Sequence, residues 1–226
     1  NKMKYKLIVF DWDGTLMDSE ARIVDSMQAA AVDLGLANPT ADEVRNIIGL
    51  GLQEAVQTLM PRQGLETHVK VVERYRQHYL GNDGKPSHLF PGADDVVREL
   101  AGQDYLLAVA TGKGRRGLDQ ALCDTRMDAY FHATCCADEA FSKPHPQMLE
   151  QIMDALGAMP QETLMIGDTE YDMRMAANAR SDALAVDYGV HSRERLMRHG
   201  PLDCLADVRE IPGWLSRSAG AEHRVA

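Results

Sequence analysis

Strand-type and helix-type segments alternate along most of this 226-residue chain, which predicts a doubly wound α/β fold built on a parallel sheet. Three observations carry that prediction. Short apolar runs, the pattern of strands buried on both faces, lie at residues 4–10, 105–110, 163–166 and 183–186. Each is followed by a segment that reads as helix, so right-handed crossovers are expected. Three of these runs break abruptly, into Asp11, Thr111-Gly112 and Gly167-Asp168, and the carboxyl ends of the strands are where open α/β sheets bind ligands. No G-x-G-x-x-G segment follows the first strand, which disfavours a dinucleotide-binding variant.

Taken in order, residues 4–10 form the first strand. Asp18-Ser19 offers N-cap chemistry for a helix from Glu20 to about Leu34, ended near Gly35. Ile23, Met27, Ala30, Ala31 and Leu34 give it one apolar face. Thr40 followed by Glu43 fits a capping box and starts a helix over 41–48. Gly49 to Gly51 breaks it, and a short helix over 52–59 is stopped by Pro61. From 66 to 80, Val69, Val72, Tyr75 and Tyr79 recur at helical spacing. Residues 18–88 therefore read as an all-helical unit inserted after the first strand, with the turn formers from Gly81 to Pro86 marking a loop near its end. Beyond it the chain returns to strand–helix alternation. Helices are expected over 94–100, from Gly114 to about 122, over 146–156, 171–179, 192–198 and 208–215. A weaker strand is expected over 129–136, and the tail after Ser216 is expected to fray.

The formal net charge of -10 gives a surface that repels nucleic acid and anionic membrane, so neither is an expected partner. It does not oppose an anionic substrate, since a metal, a lysine and helix N-termini can make one site positive inside a negative protein. Cys123, Cys135, Cys136 and Cys204 lack C-x-x-C spacing and suit a reducing compartment as free or buried thiols. The one apolar run near the start is too short for a signal sequence and leads into Asp11 and Asp13. No run approaches the length of a membrane span. A soluble, cytoplasmic protein is expected, as a monomer or homodimer.

Four constellations carry chemistry. Asp11 and Asp13 are spaced i, i+2, so a continued strand turns both carboxylates to one site and Trp12 away from it. Two close like charges call for a hard cation such as Mg²⁺. Asp-x-Asp-Gly is also an ordinary polar turn. Thr111 and Gly112 close a strand and open a helix, which suits a phosphate clamp, though Thr-Gly is also a common strand-to-turn step. Lys143 stands before Pro144-His145-Pro146, which fix the backbone ahead of a helix; a lone lysine is otherwise a solvated charge. Asp168 and Asp172 lie one helical turn apart and can face one cleft, and an acidic first turn is equally ordinary helix capping.

With all four in this order, the chain resembles the haloacid dehalogenase-like (HAD) hydrolase superfamily, whose first motif is D-x-D-G-T. The resemblance extends from Tyr5 to about Leu215 and is nearest the phosphoglycolate-phosphatase-like branch. It implies a Rossmann-like core over 1–17 and 89–216 and an all-helical cap over 18–88, with the tail at 217–226, small and polar, expected to fray. It implies a Mg²⁺-dependent phosphatase acting on a small phosphorylated metabolite. Asp11 would be the nucleophile that becomes an aspartyl-phosphate, and Asp13 the general acid and base. Thr111, Gly112 and Lys143 would hold the phosphoryl group. Asp11, the backbone carbonyl of Asp13, and Asp168 would ligate the metal, and Asp172 would hold either a metal-bound water or Lys143. The chain departs from the family at Ala179-Arg180-Ser181, where Ala-Gly is usual, which leaves the local turn in question. A β-phosphoglucomutase-type phosphomutase is disfavoured by the missing Ser-Arg-x-x-Ser cap pattern. A metal-free dehalogenase is disfavoured by the acidic Asp13, and a non-catalytic binding protein by the four intact motifs.

Overall fold

The computed structural model describes residues 3–81 and 86–221. Its strands are β1 (Leu7–Phe10), β2 (Met17–Asp18), β3 (His88–Leu89), β4 (Leu106–Thr111), β5 (Ala133–Cys136), β6 (Thr163–Gly167), β7 (Asp182–Val186) and β8 (Cys204–Leu205). The α-helices are α1 (Glu20–Asp33), α2 (Ala41–Ile47), α3 (Leu52–Leu59), α4 (Leu65–Leu80), α5 (Ala93–Ala101), α6 (Arg115–Thr125), α7 (Gln147–Leu156), α8 (Glu170–Asn178), α9 (Arg193–Met197) and α10 (Ile211–Ala221). Six strands make one sheet in the order β5-β4-β1-β6-β7-β8, parallel throughout.

Alternation along the central strand sets the two cores. Ile8 and Phe10 pack with α5, α6 and α10 through Val97, Leu118 and Ile211. Leu7 and Val9 point to the opposite face and pack with α7, α8 and α9 through Leu149, Met173 and Leu196. Trp12 joins the first core, edge-on to Phe131, so the side chain between the two aspartates turns inward as the spacing predicted. From β1 the chain crosses to β4 and β5 on one side, then returns to build β6, β7 and β8 on the other. The connections leaving β1 and β6 thus diverge, and the crevice at their carboxyl ends is the topological switch point.

Helices α1 to α4 have their own core, in which Met27, Val44, Ile47, Val56 and Val71 are buried. The capping box forms in both halves at Thr40 and Glu43. Several expectations need correction. The inserted unit is bounded by an antiparallel ribbon, Met17 opposite Leu89 and Asp18 opposite His88, where the sequence suggested helix alone. On α4, Val69 is exposed, and His68 is buried in its place with its ring nitrogen on the Met60 carbonyl. The strand expected over 129–136 is limited to Ala133–Cys136, since Asp128–Tyr130 forms a 3-10 turn, and Cys204–Leu205 adds a sixth strand to the sheet. The expected frayed tail is helical through Ala221; residues 222–226 and the loop at 82–85 lie outside the described residues.

Arg180 occupies the left-handed position after α8, with φ 60, and its N–H reaches the Ala177 carbonyl. The turn is kept without the glycine, at a conformational cost that a side chain bears and glycine does not. Arg180→Gly is therefore expected to stabilise the protein by about 0.5–1 kcal/mol; a thermal melt showing no gain would remove this reading of the corner.

Candidate active site

Asp11 follows β1, Thr111 ends β4 and Asp168 follows β6, so the sheet delivers all three to one edge. Lys143 arrives on the loop before α7, buried to 1% exposure. Its ammonium donates to Asp11 Oδ1 at 2.9 Å and to Asp172 Oδ1 at 2.7 Å. Burial alone pulls a lysine towards its neutral form. Here the Asp11 and Asp172 carboxylates outweigh it and hold the Lys143 pKa above its ordinary value. Asp11 Oδ1 also accepts the Trp12 N–H at 2.8 Å. Its other oxygen, Oδ2, is buried without a hydrogen-bond partner among the described residues.

Asp172 does two jobs that the sequence left as alternatives. Its Oδ2 accepts the Thr169 N–H and hydroxyl at 3.1 and 2.9 Å, completing the α8 capping box. Its Oδ1 holds Lys143. Asp168 accepts the Thr15 hydroxyl at 3.1 Å and the Val190 N–H at 2.9 Å. Oxygens of Asp11, Asp168 and Asp172 lie within 4.8 Å of one another. Such crowding is costly: burial and the neighbouring Asp172 push Asp168 up to about 7, and burial, Asp172 and Asp168 push Asp11 well above the usual carboxylate range despite Lys143. Three buried carboxylates with one unpartnered oxygen fit a hard divalent cation. The closeness depends on Gly14: its φ is 85, and a Cβ there would stand 2.1 Å from Asp168 Oδ2.

Asp13 lies nearer the helical unit. Ser19 sits at the N-cap position of α1, yet its hydroxyl caps nothing and donates to Asp13 Oδ1 at 2.6 Å. Thr111 Oγ accepts the Lys113 N–H at 3.1 Å, leaving the hydroxyl proton to donate. Asp11, Asp13, Thr111 and Gly112 line one cavity of about 750 Å³, whose far wall includes Ile23, Met27, Ile47 and Tyr75 of α1, α2 and α4. Gly112 lies directly beneath that unit, since a Cβ there would meet the Leu50 carbonyl at 2.4 Å. Further clasps are the Gly51 N–H on Ser142 Oγ at 2.8 Å and the Tyr171 hydroxyl on the Asn46 carbonyl at 2.6 Å.

All the residues singled out from sequence thus meet at one cavity or directly behind it. Thr15, Ser19 and Lys113 were not singled out. Thr15 belongs to the Asp-x-Asp-Gly-Thr run and could have been included on that ground. The role of Lys113 depends on contacts across the fold, to Tyr79 and Asp13, and that of Ser19 on one to Asp13 six residues earlier. Cys135 and Cys136 lie on β5, where burial pushes their thiols up to about 11 and about 12, and so suppresses the reactive thiolate.

This arrangement, a parallel sheet with carboxylates and a lysine at its switch point under a helical wall, defines a doubly wound α/β protein with a carboxylate centre. The chain belongs to the haloacid dehalogenase-like hydrolases: the family model described as haloacid dehalogenase-like hydrolase matches residues 8–186. It is 32% identical to a protein of Dickeya dadantii named as a probable phosphatase, IndB, over 92% of each chain. It is 30% identical to the phosphoglycolate phosphatase of Aliivibrio fischeri, over 89% of this chain and 92% of that one. It is 27% identical to the pyrophosphatase PpaX of Anoxybacillus flavithermus, over 95% and 100%. A crystal structure from Haemophilus somnus, described as a predicted phosphoglycolate phosphatase, superposes with a TM-score of 0.86 at 23% identity, covering 95% of this chain and 99% of that one. The protein is an enzyme on the phosphatase side of this family.

Proposed function

We propose that the protein is a Mg²⁺-dependent phosphatase that hydrolyses a small phosphorylated metabolite, of phosphoglycolate type, through an aspartyl-phosphate on Asp11. The observation that carries this reading is the asymmetry of the Asp11 carboxylate. Oδ1 is held by Lys143 and the Trp12 N–H, while Oδ2 is buried and free of hydrogen bonds. The oriented Oδ1 attacks phosphorus as the bond to the leaving oxygen breaks, Oδ2 would be left to the metal, and Asp13 gives the leaving oxygen its proton. Asp13 then takes a proton from water, whose oxygen attacks phosphorus and releases Asp11. The Thr111 hydroxyl and the Gly112 N–H hold phosphoryl oxygens, and Lys143 offsets the spread negative charge of the transition state. Asp11, Asp168 and the Asp13 carbonyl would hold Mg²⁺, which when bound supplies positive charge between Asp11 and the phosphoryl oxygens. Asp172 anchors Lys143 and need not touch the metal. The α1–α4 unit serves as the cap that keeps bulk water out. Among the described residues no helix is long and apolar enough to cross a membrane, which accords with an enzyme of small metabolites in the cytoplasm.

The testing experiment is phosphate release from phosphoglycolate, pyrophosphate and p-nitrophenyl phosphate, with Mg²⁺ and with EDTA. Metal-dependent release, preferring one substrate, is expected; a folded protein that releases phosphate from none of them overturns the proposal.

The raised Asp168 pKa makes a second expectation. An acid whose folded pKa lies above its unfolded value binds its proton more tightly when folded. Its contribution to metal-free stability is therefore present at low pH and lost as pH rises through about 7. Mg²⁺ binding competes with that proton. The rise in melting temperature on adding Mg²⁺ is expected to grow between pH 5 and pH 8 and to vanish in Asp168→Asn. A rise independent of pH would count against Asp168 as a ligand.

A further inference from the structure

We infer that Lys113 is the residue that reads a second anionic group on the substrate, carried by the leaving-group portion of the phosphate ester. The inference rests on the phosphatase reading above and adds the residue that selects among phosphate esters.

Lys143 is spent on Asp11 and Asp172. Three other cations line the cavity: Lys113, Arg76 and Arg116. Both arginines are exposed, so water screens them and they discriminate weakly. The Lys113 side chain is only 10% exposed, and a desolvated charge separates an anion from a neutral group far better. Its contacts leave room for a ligand. It lies 3.4 Å from Asp13 Oδ2, a looser pairing than either contact of Lys143, and it donates to the Tyr79 hydroxyl at 3.0 Å. An ammonium has three donors, and these contacts take two among the described residues.

The surroundings hold Lys113 in place. Tyr79 comes from α4, and Arg22 lies 4.5 Å over its ring and donates to its backbone carbonyl. Lys113 itself lies 4.3 Å from the same ring centroid. Tyr75 stacks on Tyr79 at 5.6 Å and also lines the cavity. A cation, two phenols and Asp13 thus form a polar wall beside the apolar cap residues Ile23, Met27 and Ile47, and the cap also lines the cavity with Gln53, Glu54, Glu73, Arg76 and Gln77. Because Asp13 serves the leaving oxygen, the group beside it is the leaving group. A carboxylate or second phosphoryl there meets Lys113, and a neutral group leaves the cation without a ligand.

The test compares 2-phosphoglycolate with its carboxamide, which has the same size and no second charge. In the Mg²⁺-loaded enzyme the carboxylate ester is expected to have the higher kcat/KM. Lys113→Met is expected to reduce that preference about 10- to 100-fold, chiefly through KM for the carboxylate ester, and Lys113→Arg to retain most of it. A purely structural effect on Asp13 falls on both esters alike and leaves the ratio unchanged. Equal turnover of both esters by the wild type, or an unchanged ratio in Lys113→Met, overturns the inference and leaves the phosphatase standing. Hydrolysis of neither ester by the wild type overturns the inference, and the phosphatase reading falls with it only if pyrophosphate and p-nitrophenyl phosphate are left intact as well.

Discussion

Asp11→Asn is expected to lower phosphate release by ~10⁴-fold or more while leaving a folded protein that is at least as stable without metal. The loss follows from the proposed chemistry: an amide oxygen of the same shape lacks the charge to attack phosphorus and form a phosphoenzyme. The stability follows from the electrostatics of the site. Asp11 is buried beside Asp168 and Asp172, and burial and those neighbours push its carboxyl well above the usual range. An uncharged side chain removes that repulsion. Lys143 keeps its 2.7 Å contact to Asp172, so no unpaired buried cation is left behind. Steady-state phosphate release and thermal melts in EDTA test the two halves separately. Turnover within a hundredfold of wild type would remove Asp11 as the nucleophile. A large fall in melting temperature would show that its charge stabilises the fold.

The arrangement at the sheet edge was legible from sequence because each part is local. Asp11, Thr111 and Asp168 lie at the ends of apolar runs, and chain order alone brings strand ends to one edge. The Thr40 and Glu43 capping box is likewise a contact over three residues. What escaped were contacts that local pattern does not encode. Met17 and Asp18 pair with residues 72 and 70 positions away in sequence, in strands too short to show periodicity. Ser19 looked like an N-cap and is drawn instead to Asp13. His68 looked polar and is buried, because one carbonyl satisfies its ring nitrogen. Lys113 depends on Tyr79, which arrives from the inserted helices. The proposed catalytic centre was thus readable from motifs, whereas the wall proposed to face the leaving group emerged only once the helical unit was placed over the sheet.

The largest combined effect on activity and stability is expected at Lys143. Lys143→Met keeps the length of the side chain and removes the charge, so Asp11, Asp168 and Asp172 then face one another with no cation among them. Breaking a buried pair from one side costs about 3–5 kcal/mol, and loss of a fixed charge at a phosphoryl transition state costs ~10²–10³-fold in kcat. The stability loss carries a pH signature that a packing defect lacks. Without the ammonium the carboxyls bind protons still more readily in the folded state, and stability falls as pH rises wherever the folded state binds more protons than the unfolded one. The deficit relative to wild type is therefore expected to be small near pH 5 and to widen towards pH 8. Mg²⁺ restores part of it by placing positive charge beside Asp11 and Asp168, but leaves Asp172 without its partner. Lys143→Arg keeps the charge yet must fit a planar fork into a site with no exposed side-chain surface, so it is expected to recover less than half of the lost turnover. Melts from pH 5 to pH 8, with and without Mg²⁺, decide the matter. A deficit that does not change with pH would mean that Lys143 fills space in the core rather than holding the carboxylates together.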